Sequence, residues 1–281
     1  MKLALKIDVD SLRGTREGVP RLVEMLQRQE AGATFYFSLG PDHTSALRRL
    51  ARGLPTPDIG RRHPDVMRAV RDAGFEVGIH AWDSAAWRAG VDKGDADWTA
   101  RQMALVMARF EDIFGERAAV HAAPGCRMNK HAFRHTQALA FDYSSDTRGR
   151  HPFVPVVRAE IIACPQVPTT LPTFDDLTSR GGASDAQAVD RLLEETKDPR
   201  GHVFTLRAAS EGLKRAAAFE KLLEGWKAQG YELVALRELL HEAAGTTLPL
   251  HNVEMLPGRG GLVALQGTEF LAEIEPRRPD F

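Results

Sequence analysis

Two aspartates, Asp8 and Asp10, end the apolar run that begins Leu3-Ala4-Leu5-Lys6-Ile7. Carboxylates within such a run need a partner, a metal ion or an arginine, because burying an unpaired charge is costly. The run has neither Gly nor Pro and reads as a buried strand. The acids then sit at its C-terminal tip, where parallel α/β folds hold their ligands. Positions i and i+2 of a strand share a face, and a turn after Asp10 can send both carboxylates to one site. The plainer alternative is that they cap the strand and the turn-forming stretch behind it, Ser11, Arg13, Gly14, Thr15, Arg16 and Gly18.

Other strand ends carry residues of the same kind: His80 with Trp82 and Asp83, Cys126 with Arg127, Asp146 with Arg148, and Arg207 with Glu211. Asp oxygen and His nitrogen suit Zn²⁺, Mn²⁺ or Fe²⁺. A buried Arg beside a carboxylate orients it and holds it ionised. Taken singly each signal is weak, since a strand-end His is more often a hydrogen-bonded structural residue. His63, Asp83, His121 and His131 are further donor candidates on the same terms. Cys126 can ligate a soft metal or simply pack, and Trp82 and Trp87 can wall a sugar pocket or fill the core. Asp8-Val9-Asp10 also permits an Asp-x-Asp site for a metal-bound nucleotide sugar, but no phosphate-cradling Gly-rich loop accompanies it.

The elements that must position these residues alternate regularly. Residues 18–30 carry Val19, Leu22, Val23 and Leu26 on one helical face, and 33–38 is an aromatic strand. Residues 52–64 read as a Gly/Pro/Arg-rich loop, 65–73 as a helix and 75–79 as the strand leading to His80. Asp97 reads as the N-cap of a helix running to Gly115. Strands at 118–122, 141–146, 202–206 and 231–234 alternate with helices at 129–140, 186–197, around Phe219–Trp226 and at 236–244. Residues 154–172 form a Pro-rich excursion. Strands alternating with helices about seven times predict a parallel sheet, and chemistry at several strand ends favours closure into a barrel. The expected organisation is a barrel over 1–244 and an irregular tail over 245–281.

Composition narrows the function class. Charged residues are 27% of the chain and the formal net charge is -1, which gives no electrostatic case for nucleic acid or an anionic surface. Two cysteines make no disulfide framework and fit a reducing compartment. The N-terminus lacks a signal-peptide pattern, and no run reaches the ~20 apolar residues of a membrane span. The expected location is the cytoplasm. Nothing here bears on oligomeric state.

Several blocks, in order along the chain, resemble one family. They are residues 6–10 (KIDVD), 13–20 (RGTREGVP), 37–42 (FSLGPD), 78–83 (GIHAWD), 145–149 (SDTRG) and 168–173 (PTTLPT). The chain is similar to the 4-deoxy-4-formamido-arabinose-phosphoundecaprenol deformylases, a branch of the polysaccharide deacetylases (NodB-homology proteins, carbohydrate esterase family four). The resemblance implies a distorted (β/α) barrel and metal-assisted hydrolysis of a formamide or acetamide C–N bond on an amino sugar. By position, Asp8 resembles the catalytic base, and Asp10 and His80 two ligands of a divalent Zn, Mn or Fe. Arg127 resembles the arginine that orients the base, and Asp146 lies in the block supporting the site. Arg16, Trp82 and Arg148 are the expected substrate contacts. A lipid-linked sugar substrate would bring the chain to the inner face of the cytoplasmic membrane.

The departures from the family pattern fall on the chemistry. Ser84 stands where the family has a second metal-binding His, four residues after His80. A hydroxyl replaces imidazole poorly, so the metal is expected to be weakened or lost. Arg207 stands where a His would protonate the departing amine, and an arginine cannot cycle as acid and base. Residues 43–56 also replace a longer segment of the relatives. Two functions follow: a hydrolase with an altered site, or a member that binds the sugar or its lipid carrier without turnover.

Overall fold

The computed structural model describes residues 1–44, 56–243, 247–258 and 260–271. Most of the short 43–56 connection therefore lies outside the described residues.

The first strand, β1 (Lys2–Val9), is buried on both faces, and its two faces differ. Leu3, Leu5, Ile7 and Val9 join the main core beneath the helices, whereas Ala4 joins a second cluster with Tyr36, Tyr143 and Val203. Period two therefore puts Lys6 and Asp8 on the same side as Ala4, inside the barrel. The strands β2 (Thr34–Phe37), β3 (Glu76–Ile79), β4 (Val120–His121) and β5 (Tyr143–Ser144) continue the sheet on one side of β1. After the excursion strands β6 (Val154–Val157) and β7 (Glu160–Ile161), β8 (His202–Arg207) pairs with the other side, and β9 (Glu232–Val234) pairs with the start of β1. Among the described residues these make one seven-stranded, all-parallel sheet in the order β5-β4-β3-β2-β1-β8, with β9 on β1. Gly78 lets the interior pack tightly: a Cβ there would stand 2.5 Å from Val120 and 2.9 Å from Tyr36.

The sheet curls without closing through regular strand pairing. An irregular stave, residues 166–171, fills the gap between β5 and β8. Val167 N–H donates to the Ser144 carbonyl at 2.8 Å, Thr169 N–H to Thr147 at 3.0 Å and Thr170 N–H to Val203 at 3.1 Å. The expected distorted barrel is present in this form, a curled half-barrel with helices outside it.

Three local expectations change. The stretch after Asp10 is not an open loop but a π-helical turn, Gly14–Gly18, running into the helix Val19–Arg28. A Cβ at Gly18 would lie 2.0 Å from the Ala208 carbonyl oxygen, so glycine is what lets this turn press on the end of β8. Ile59–Arg62, expected as loop, is a helical turn whose N-cap Asp58 accepts from Arg61 N–H at 3.1 Å. The long helix Ala96–Phe114 is capped by Asp95, which accepts from Trp98 N–H at 2.8 Å, while Asp97 lies in its first turn.

The largest difference is at the C-terminus. Residues expected to be irregular form a hairpin, β10 (Leu250–Gly258) and β11 (Gly261–Glu269), in a second sheet ordered β11-β10-β6-β7. The hairpin is stitched to the barrel where Arg148 N–H donates to Ala264 at 3.0 Å and Gln266 N–H to Arg148 at 2.8 Å. Its order depends on cross-strand and docking contacts, which leave only a faint period in the sequence.

Candidate active site

At the C-terminal ends of β1 and β8 lies a cavity of about 390 Å³. Its floor carries Lys6, Asp8 and Asp10, its far side Thr205 and Arg207, and its outer wall Leu256, Val263 and Leu265 of the hairpin. Two of the three floor residues follow from period two on β1, and Asp10 follows just past the strand end.

Asp8 is 8% exposed, and its Oδ1 is buried without a hydrogen-bond partner among the described residues. Burial raises its carboxyl above the ordinary value, opposed by the positive charges of Lys6, Arg207 and Arg88. Its Oδ2 stands 3.9 Å from His80 Nε2. His80 is held from behind, because its Nδ1 lies 2.6 Å from the Ala122 carbonyl oxygen. A carbonyl only accepts, so Nδ1 carries the proton and Nε2 presents a lone pair toward Asp8. Burial pulls the His80 pKa down to about 3, so the ring is neutral at ordinary pH. Lys6, fully buried, donates from Nζ to the Ser145 carbonyl at 2.5 Å and sits 5.8 Å from the Tyr36 ring centre.

Asp10, the next expected metal ligand, faces a guanidinium: Arg88 Nη1 is 3.5 Å from its Oδ2. Ser84 has turned to Ser38, the two hydroxyl oxygens 2.6 Å apart and both buried. Among the described residues no group of three His, Cys, Asp or Glu side chains could hold a metal ion. The donor set implied for a divalent metal therefore does not fit: one ligand position is a committed hydroxyl, and another is paired with an arginine. A catalytic centre ordinarily takes three protein ligands.

The remaining expected residues divide. Arg127 lines the cavity, donates to the Arg88 carbonyl and stands against Gly260 and Gly261 in the hairpin turn. Asp146 lies behind the cavity wall, fully buried, accepting from His121 Nδ1 at 2.8 Å and from Ala123 N–H at 2.7 Å. It thereby fixes the strand end from which Arg127 projects. Arg148 lines the cavity and is tied to Asp176 at 2.8 Å and to the Leu171 carbonyl at 3.1 Å. Arg16 and Trp82 are corrections to the expected substrate contacts. The first is exposed and paired with Glu17, because the π-helical turn points it outward. The second packs on Gly40, with the Arg109 guanidinium 5.4 Å from its ring centre. Neither lines the cavity.

Arg207 lines the cavity and pairs with Asp175, whose charge is the main cause holding this guanidinium's pKa up against burial. Glu211, 3% exposed and raised by burial, accepts from Arg207 N–H at 2.7 Å. Two of the other donor candidates have structural work: Asp83 caps the helix Ser84–Gly90 and contacts His43, and His121 serves Asp146. Cys126 lines the cavity with its thiol pKa raised by burial, which makes it a poor ligand or nucleophile at neutral pH.

Sequence reasoning passed over three contributors. Lys6 was visible as a charge inside an apolar run, two residues before Asp8. Arg88 was visible as the residue one helical turn after Ser84, on the same face. The hairpin wall had a fainter signal, a glycine-rich stretch between two apolar runs at 256–263.

Comparison with known proteins places this geometry. The polysaccharide deacetylase family model matches residues 3–144. A probable 4-deoxy-4-formamido-L-arabinose-phosphoundecaprenol deformylase ArnD of Shewanella sediminis is 30% identical, covering 95% of this chain and 95% of the relative. The protein of the same description from Wigglesworthia glossinidia brevipalpis is 26% identical, covering 90% of this chain and 98% of its own. Among solved structures, a putative polysaccharide deacetylase from Mycobacterium smegmatis is similar at a TM-score of 0.67 and 17% identity, covering 92% of this chain and 95% of that one.

Proposed function

Because this chain belongs to the polysaccharide deacetylase family, we propose that it hydrolyses a formamide or acetamide C–N bond on an amino-sugar conjugate. The observation that carries this reading is the state of Asp8. A buried carboxylate oxygen that lacks a partner and borders a cavity is a natural acceptor for a water proton. Its raised pKa brings it nearer the working range of a general base.

In the proposed reaction Asp8 takes a proton from water as the oxygen attacks the amide carbon. The developing oxyanion meets the positive side of the cavity, where Arg88 and Arg207 stand. The C–N bond then breaks, and the proton held on Asp8 passes to the departing amine. Arg207 remains charged throughout and acts only electrostatically. Neutral His80 keeps its place through Ala122 and borders Asp8. The products are the free amino sugar and formate or acetate.

The substrate class is an amino sugar carried on a second group. Leu256, Val263 and Leu265 give the outer wall an apolar surface suited to an apolar carrier, in keeping with the lipid-linked sugar in the names of the two relatives. Work on such a carrier would be done at the inner face of the cytoplasmic membrane. No helix among the described residues is long and apolar enough to cross a membrane.

Release of formate or acetate from formamido- and acetamido-sugar conjugates tests the reading. Release by the wild type and its loss in Asp8→Asn is the expected result. Saturable sugar binding with no release would replace it with the second reading, a member that binds without turnover. The two departures at Ser84 and Arg207 favour that alternative.

A further inference from the structure

We infer that the guanidinium of Arg88 has taken the place of the divalent cation in this site, so that the cavity's central positive charge is built into the chain. For the reaction step this rests on the hydrolase reading above; for metal exclusion it does not.

The geometry begins with Ser84 and Arg88, which lie four residues apart on the helix Ser84–Gly90 and so share a face. The first is the position where a ligand is missing, and its hydroxyl is committed to Ser38 at 2.6 Å. From one turn further on, Arg88 Nη1 reaches within 3.5 Å of Asp10 Oδ2. The charge of Arg88 is also felt by Asp8 and His80, so one guanidinium acts on all three groups that would otherwise face a cation.

The backbone of Arg88 is anchored, since its carbonyl accepts from Arg127, and the side chain reaches into the cavity past the turn at Gly125, where a Cβ would lie 3.8 Å from Arg88 Cδ. A guanidinium remains protonated at any working pH and offers five N–H donors in a fixed plane. Donors not spent on Asp10 can meet a carbonyl oxygen lying in the cavity. A divalent ion entering here must displace Arg88 from Asp10 and then finds, among the described residues, no group of three side-chain ligands to hold it.

The test is Zn²⁺ titration by calorimetry, with metal analysis after dialysis, on four full-length chains: wild type, Ser84→His, Arg88→Gln and the double variant. The expected result is no stoichiometric Zn²⁺ in the wild type or in Ser84→His, where the guanidinium still holds Asp10. The double variant should take up one Zn²⁺ per chain, gaining about 10- to 100-fold or more in affinity. One tightly held Zn²⁺ in the wild type, or full restoration by Ser84→His alone, overturns the inference. Thermal melting of each variant shows that it is folded.

Turnover separates this inference from the hydrolase reading. If the wild type releases formate or acetate, that activity should survive EDTA and fall by roughly 10²-fold in Arg88→Gln. Activity lost to EDTA and restored by metal overturns the inference while leaving the hydrolase reading intact. A wild type that excludes Zn²⁺ and turns over neither amide ends the hydrolase reading but leaves the charge replacement standing.

Discussion

The floor and the outer wall of the cavity are built by opposite means. The floor is one strand in the middle of a parallel sheet, paired along its length with β2 and β8. Its chemistry is placed by the two-residue period of a fully buried backbone. The wall is a C-terminal hairpin joined to the barrel through Arg148 and resting on Arg127 and Asp92, whose Oδ2 accepts from Leu262 N–H at 2.9 Å. Rigid strands suit reacting groups, whose positions tolerate little error. A hairpin docked at a few points suits contacts that sort one substrate from another. The comparison assigns turnover to the floor and substrate choice to the wall, and single substitutions can break that assignment.

The largest effect is expected at Asp8. Asp8→Asn should lower amide hydrolysis by about 10²–10⁴-fold, with substrate affinity little changed. It should also raise thermal stability. Burial holds the folded-state carboxyl above its unfolded value, so the folded chain binds that proton more readily. The ionised form therefore costs stability as pH climbs, and the melting-temperature gap between variant and wild type should widen as the pH rises above about 4. A variant less stable than the wild type across that window would contradict the account of the floor.

Lys6→Met comes next. Removing the strongest of the positive influences on Asp8 should move the acid limb of the pH–rate profile upward. An unmoved limb would make Lys6 a packing residue. On the wall, Leu256→Ala should raise KM for a conjugate with an apolar carrier by about tenfold and leave kcat alone. A fall in kcat instead would move the hairpin into the chemistry. The smallest effect is the control, Asp95→Ala, which removes a helix cap outside the cavity lining. It should cost about 1 kcal/mol in denaturant unfolding without altering either kinetic constant.

The floor was legible in the sequence because a strand's alternation is local. An apolar run tipped with acids needs no knowledge of its neighbours to be read; Asp8 and Asp10 line one cavity, and His80 stands 3.9 Å from Asp8. The departures at Ser84 and Arg207 came from the family resemblance, not from any local period. It misplaced Arg16 and Trp82, because their direction is set by contacts distant in sequence: Gly18 pressing on Ala208, and Trp82 on Gly40. Proximity of donors can be guessed from strand order, while their actual partners cannot.

By itself the sequence determined the alternating fold, the strand carrying the chemistry and the types of residue at its tip, all of which depend on periods of two and of 3.6 residues. Only the tertiary structure decided what those residues face. A guanidinium stands beside Asp10, and a hairpin from the far end of the chain forms the wall. Each of these depends on chain segments dozens to hundreds of residues apart meeting at one place, and no local period records such a meeting.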